Sequence, residues 1–243
     1  MTEEPYRWLE AVSNRRDYVR EQLKGGSPVF AASLSDGILL LGVGSGQSKV
    51  FELFDRHALA GLGHPADMEK IRQAAIDAAH VEGFTRAPED VSLRRLVGFG
   101  LGPQLKTGFE QIFQAPFLVE LILAELADAP ERDQLVRLRY DGTFQIQPGG
   151  LMVAAGNADL EAGATAHLRG LITTQTPMAD AARAFLEVWF CLTNDKPLTT
   201  SRTELEAGWR AGVVGKTIEL GWLNRRGQRA ARYEALTAAG LGL

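Results

Sequence analysis

Residues 25–67, GGSPVFAASLSDGILLLGVGSGQSKVFELFDRHALAGLGHPAD, set four short apolar runs (28–34, 38–43, 50–54 and 58–62) between turn residues. Ser35-Asp36-Gly37 is a strong hairpin signal, because Asp and Gly accept the backbone conformations of a tight turn between two strands. A looser, glycine-rich turn spans residues 42–48. The stretch therefore reads as an antiparallel sheet unit with one lysine, Lys49, at the start of its third strand.

The rest of the chain must bury this sheet, and it is long enough to do so. Folding 243 residues hides roughly 70–75% of the unfolded surface, so the core needs neither disulfide nor metal. The one cysteine, Cys191, lies in the apolar run FLEVWFCL, which fits a buried thiol in a reducing compartment. MTEEPYRWLE is acidic where a secretory leader is basic and then apolar, and no apolar run reaches the length of a membrane span. A soluble, cytoplasmic protein is expected. With 30 acidic against 26 basic residues the formal charge is −4, which argues against nucleic acid as the main partner.

Taken in order, residues 14–24 (NRRDYVREQLK) form a charged helix that stops at Gly25-Gly26, with a narrow apolar stripe of Val19 and Leu23. Such a helix is expected on a surface or against another subunit. Residues 1–13 before it carry Pro5, Tyr6 and Trp8 in a polar context and are expected to be a flexible arm. Beyond the opening sheet, helices are predicted over 66–82 and 89–113, the second bent where Gly98, Gly100, Gly102 and Pro103 interrupt it. Strands follow over 117–126, 135–140, 143–147 and 151–155, with Asp141-Gly142 marking a hairpin. Two more helices, 158–171 and 177–192, precede a last hairpin of 217–223 and 229–236. The short amphipathic stretch 199–209 has no assigned place.

The order is strands, two helices, strands, two helices, strands, with no boundary inside residues 25–243. Helices that arrive in pairs between antiparallel hairpins are best buried as outer layers on two stacked sheets. The expected fold is α+β, a four-layer α/β/β/α sandwich in a single domain over residues 1–243.

Two phosphate-binding patterns fail on inspection. Gly42, Gly44 and Gly46 follow a strand, but SKVFELF after them reads as a strand, whereas a dinucleotide loop needs a helix N-terminus there. Gly215-Lys216-Thr217 lacks the P-loop's upstream glycine, since Arg210 occupies that position. His57, His64, His80 and His167 show no ligand spacing, so each reads as a surface or packed residue. Asp55-Arg56-His57 reads as an ion pair beside a turn. Neither a metal nor a cofactor is expected.

Several segments in succession carry a family resemblance: KGGSPVFA, SDGILLL, SKVFELFDRHALAGLG, HPADMEKIRQAAIDAAHVEG, EDVSLRRL, PFLVELILAEL, RLRYDGTF and TIELGWLNRRGQRAARYEAL. Together they resemble the α-type subunits of the proteasome core particle, in the actinobacterial branch. The resemblance implies the N-terminal-nucleophile hydrolase fold, which is the same sandwich. Catalytic β-type subunits of that fold use an N-terminal Thr whose own amine moves the proton, with an acid on the second strand and a lysine on the third. Here the second strand has no acid, Gly26-Ser27-Pro28 stands where the Thr would be, and residues 154–157 lack the family's serine. A non-catalytic subunit is implied.

By the same resemblance, Lys49 matches the lysine of a pocket between ring neighbours that takes the C-terminal tail of an AAA+ ATPase activator. Gly26 and Gly63 match that pocket's glycines. A compact ammonium suits a single carboxylate, and glycine walls let a peptide backbone approach closely. The implied partners are β-type subunits, neighbouring α subunits in a homo-heptameric ring and the ATPase; substrates would carry a small ubiquitin-like tag. The N-terminal arm would obstruct the axial pore. A second reading is a self-processing amidohydrolase or protease with Ser27 as nucleophile, although Pro28 constrains the backbone beside the reactive amine.

Overall fold

The structure is a computed structural model that describes residues 4–243. In chain order the elements are α1 (Glu4–Lys24), β1 (Val29–Leu34), β2 (Gly37–Gly44), β3 (Val50–Phe54), β4 (His57–Gly63) and α2 (Pro65–Thr85). A short α3 (Leu93–Arg95) passes through a π-helical stretch, Leu96–Leu101, into α4 (Gly102–Glu110). Then come β5 (Val119–Glu125), β6 (Gln134–Arg139), β7 (Phe144–Pro148), β8 (Leu151–Ala154), α5 (Ala158–Arg169), α6 (Met178–Thr193), α7 (Arg202–Gly212), β9 (Thr217–Asn224) and β10 (Tyr233–Leu236).

The strands form two antiparallel five-stranded sheets, ordered β10-β9-β2-β1-β8 and β3-β4-β5-β6-β7. Three apolar layers hold them between helices. Phe30, Leu39 and Leu41 face Phe185, Trp189 and Trp209 of α6 and α7. Leu59, Leu121 and Leu123 face Ile71, Leu93 and Leu105 of the other helical layer. Between the sheets lie Val29, Ala31, Ile38, Leu40, Ala58, Ala60, Ile122 and Ala124. The expected four-layer α+β sandwich is what forms.

Central strands are buried on both faces, which explains why β1 and β2 read as continuous apolar runs rather than alternating ones. The inter-sheet layer favours alanine, and small side chains let the two sheets close on one another. One buried charged cluster joins α5 to the second sheet. Glu161 of α5 accepts from the backbone N–H of Ala155 at 2.9 Å and pairs with Arg137, which also donates to Glu120 at 2.6 Å.

The N-terminal expectations need correction. Of the arm expected over residues 1–13, residues 4–13 are helical and continuous with α1, and residues 1–3 lie outside the described region. Nor does α1 depend on another subunit for its apolar stripe. Val12 packs against the inter-sheet core, and Val19 and Leu23 are fully buried in it. Spacings of seven and four put these three on one helical face, a stripe about two turns longer than Val19 and Leu23 alone. The Arg15 guanidinium ties the helix down by donating to the Gly108 carbonyl at 2.9 Å, near the end of α4.

The single helix expected over 89–113 is also replaced, by α3, the π-helical stretch and α4. Gly98 and Gly100 favour helix weakly, and Pro103 has no N–H to give to the preceding turn. The wider π register spans Gly98 and Gly100 and ends just before Pro103. The unassigned stretch 199–209 contributes to α7, which Ser201 caps by accepting from Glu204 N and which packs through Leu205 and Trp209. Cys191 is buried. Among the described residues no helix is long and apolar enough to cross a membrane.

Candidate functional site

At the end of the sandwich where β1 begins, a cleft of about 660 Å³ opens between the C-terminal end of α1, the turn after β2, the β4–α2 junction and α6. Its size is that of a site for a small ligand or a short peptide. The three residues singled out from the sequence, Lys49, Gly26 and Gly63, all line it. They come from three separate connections, and the sandwich brings those connections together.

Lys49 sits in the connection that crosses from one sheet to the other, immediately before β3. β2 ends at Gly44, and the turn relies on Gly46, whose φ of +95° lies in a region that favours glycine. The crossing backbone is then clamped by Glu219 of β9, the neighbour of β2 in the first sheet. One carboxylate oxygen of Glu219 accepts from Lys49 N at 2.7 Å and from Val50 N at 3.2 Å. From that point the lysine side chain reaches back across the cleft floor, and its Nζ donates to the Ser27 carbonyl at 3.2 Å. Burial pushes the Lys49 pKa below its ordinary value, and the charge of Glu219 partly offsets this.

The two glycines are there because the backbone is close. Gly63 has φ +126°, and a Cβ on it would lie 1.9 Å from the Leu118 carbonyl oxygen. A Cβ on Gly26 would come within 2.9 Å of the Leu23 carbonyl oxygen, to which the Gly26 N–H donates at 2.8 Å. Both positions therefore require glycine for close packing of the backbone where the cleft meets α1 and β4.

Ser27 is the hub of the floor. Its Oγ donates to the Val43 carbonyl at 2.7 Å and accepts from Trp189 Nε1 at 2.9 Å, while its carbonyl takes the lysine. This arrangement does not favour the self-processing reading. The hydroxyl proton is committed to a strand carbonyl, the Lys49 ammonium meets the carbonyl and not the hydroxyl, and β2 (GILLLGVG) carries no acid. Nucleophilic attack needs a base within hydrogen-bond reach of the hydroxyl.

Sequence reasoning missed Glu219, Trp189 and Lys216. Each is remote from Lys49 in the chain and sits in an element whose pattern reads as ordinary strand, core helix or turn. The histidines behave as packed or capping residues. His64 lines the cleft and caps α2, its Nδ1 accepting from Ala66 N at 3.3 Å, while His80 stands edge-on to Phe54. His57 is buried 3.7 Å from Glu125, which also accepts from Arg56 at 2.9 Å. Among the described residues no group of three His, Cys, Asp or Glu side chains is placed to hold a metal.

Comparison with known proteins bears on this cleft. No protein-family model matches the chain. Over 204 residues it is 30% identical to the proteasome subunit alpha of Actinosynnema mirum, covering 82% of the chain and 75% of that relative. The chain belongs to the proteasome subunit alpha family. The relative from Geodermatophilus obscurus is 28% identical over 224 residues, 91% of the chain and 74% of that protein. The one from Streptomyces coelicolor is 31% identical over 156 residues, 63% of the chain. The chain spans about three-fifths of the length of the Streptomyces coelicolor relative, 61%.

Proposed function

We propose that the chain is a non-catalytic outer-ring subunit of a proteasome core particle. Copies of it form a homo-heptameric ring that caps β-type subunits in the cytoplasm and controls the entry of protein substrates. Family membership supports this reading, and one observation carries it: the lysine at the head of β3 faces an open cleft with no acid or free nucleophile on β2 or Ser27 to work with. An ammonium so placed binds an anion and performs no acyl transfer.

In the same proposal the cleft receives the C-terminal tail of an AAA+ ATPase. Lys49 pairs with the terminal carboxylate, and Gly26 and Gly63 leave room for the peptide backbone. Burial of the ammonium strengthens such a pair relative to one in open water. The N-terminal residues 1–12 obstruct the entrance, those from Glu4 onward as part of α1.

Co-assembly tests the whole reading. The chain mixed with a proteasome β subunit is expected to give stacked rings by native mass and electron microscopy, and persistence as a monomer under all conditions would overturn it. Within assembled particles, Lys49→Ala is expected to abolish stimulation of peptide hydrolysis by the ATPase tail while the rings remain intact. Deletion of residues 1–12 is expected to raise unstimulated hydrolysis, and equal rates would remove the gate.

A further inference from the structure

The cleft holds a second cation that the docking of a lone terminal carboxylate does not use. Lys216, just before β9, lines the cleft, with its Nζ 4.8 Å from the centroid of the Trp189 ring. Its amino group is exposed, and among the described residues no carboxylate pairs with it. Among the described residues no Asp or Glu contributes to the cleft lining. Glu219 lies behind it, spending one oxygen on the N–H groups of Lys49 and Val50. The ionised side chains on this surface are therefore two lysines, joined through the floor by the chain Lys49–Ser27–Trp189–Lys216.

Two ammonium groups share a lining that holds no acid among the described residues. Glu219 behind it offsets only part of the cost at Lys49 and pairs with neither, so the cleft favours a ligand that supplies negative charge. A terminal carboxylate at Lys49 leaves Lys216 unmatched. A free anion would satisfy the charge, but it would leave the apolar surface of Pro65 and Leu118, which is open to solvent in the cleft, uncovered. An extended peptide meets both demands. We propose that Lys216 is a specificity-determining residue that selects tails carrying an Asp or Glu side chain within a few residues of the terminal carboxylate. The indole of Trp189 holds the ammonium in position through cation–π attraction until that acid arrives. This inference rests on the docking of a chain terminus at Lys49.

Binding of labelled five-residue peptides to the full-length chain, followed by fluorescence anisotropy at low salt, separates the two. The probes are Gly-Ser-Ala-Glu-Leu and Gly-Ser-Ala-Ala-Leu, each as free acid and as C-terminal amide. The glutamate peptide is expected to bind about two- to five-fold tighter than its alanine counterpart, the range of a partly exposed charge pair, and high salt is expected to shrink the difference. Lys216→Gln should erase that advantage and leave the alanine peptide unchanged, whereas Lys49→Ala should weaken both free acids. Equal affinity of the two free acids for the unaltered protein, or an advantage that survives Lys216→Gln, overturns the role of Lys216. If the free acids bind no better than their amides and Lys49→Ala changes nothing, terminus docking falls, and the inference with it.

Discussion

Trp189 Nε1 donates to Ser27 Oγ over 2.9 Å, joining α6 to the residue that leads from α1 into β1, 162 positions away in the chain. The indole is almost wholly buried, yet its polar edge reaches the cleft floor, and there it finds the Ser27 hydroxyl. The hydroxyl spends its own proton on the Val43 carbonyl. One serine thus fixes α6, β2 and the lysine of the cleft in a single arrangement.

Trp189→Phe keeps the ring and removes the donor. Loss of about 1 kcal/mol of unfolding free energy is expected, the net value of a typical intramolecular hydrogen bond, measured by denaturant titration. Ser27→Ala should cost a similar amount. Because the two side chains share one bond, the double variant should lose less than the sum of the single ones, and strict additivity would show that the bond contributes nothing.

Gly63→Ala should be among the more damaging single-methyl changes in the chain. The backbone at φ +126° resists any Cβ, a strain of about 1–3 kcal/mol, and the added carbon would also collide with the Leu118 carbonyl at 1.9 Å. In a chain of this length each kcal/mol lowers Tm by about 2–4 °C. Gly25→Ala is the control, since a Cβ there meets nothing within 4 Å. Equal melting temperatures for the two variants would contradict this account of Gly63.

Lys49 gives opposite pH dependences to stability and to binding. Its folded-state pKa lies below the ordinary 10.5, mainly through burial. Below the folded value the lysine is charged in both states, and its desolvation cost is constant. As pH rises from there towards 10.5 the unfolded chain holds more protons, so stability rises. Relative to Lys49→Met, the unaltered protein should therefore gain stability over that alkaline window. Carboxylate binding needs the ammonium and should be lost as pH climbs through the same range. Removing the nearby charge with Glu219→Gln should move both transitions to lower pH; transitions that stay in place would show that Glu219 does not act on Lys49.

Arg225 and Asp133 should form the most costly ion pair to break. Asp133 is fully buried, and the guanidinium meets its two oxygens at 2.9 and 2.7 Å while also donating to the carbonyls of Leu34, Ser35 and Ala127. This ties both sheets together at the end of β1 opposite the cleft. Arg225→Ala leaves a buried carboxylate unpaired, and a loss of about 3–5 kcal/mol is expected in denaturant titration. A loss below 1 kcal/mol would mean that water reaches Asp133.

The sandwich was legible because its strands are short, apolar and separated by strong turn signals such as Ser35-Asp36-Gly37. The end of α1 was legible because Gly25 marks it. The extent of α1 was not, since the register linking Val12 to Val19 and Leu23 becomes meaningful only once the end of the sandwich provides a surface to cover. The same holds for the π-helical stretch: its glycines announced an irregularity, but the form of that irregularity depends on how α2 and the second sheet pack against Leu96, Val97 and Leu101.

By itself the sequence determined the class of architecture and the absence of an acid on β2, local properties set by residue type and spacing. Lys49, Gly26 and Gly63 stood out as pocket residues only through the family resemblance. Tertiary structure alone decided that these three share a cleft, that Ser27 is spent on Val43 and Trp189, and that Lys216 stands beside them without a carboxylate partner among the described residues. Hydrogen bonds and charge pairs act over a few ångströms in space. The sequence separations they span here, 22 residues from Lys49 to Ser27 and 170 from Lys49 to Glu219, leave no periodic trace for sequence reasoning to find.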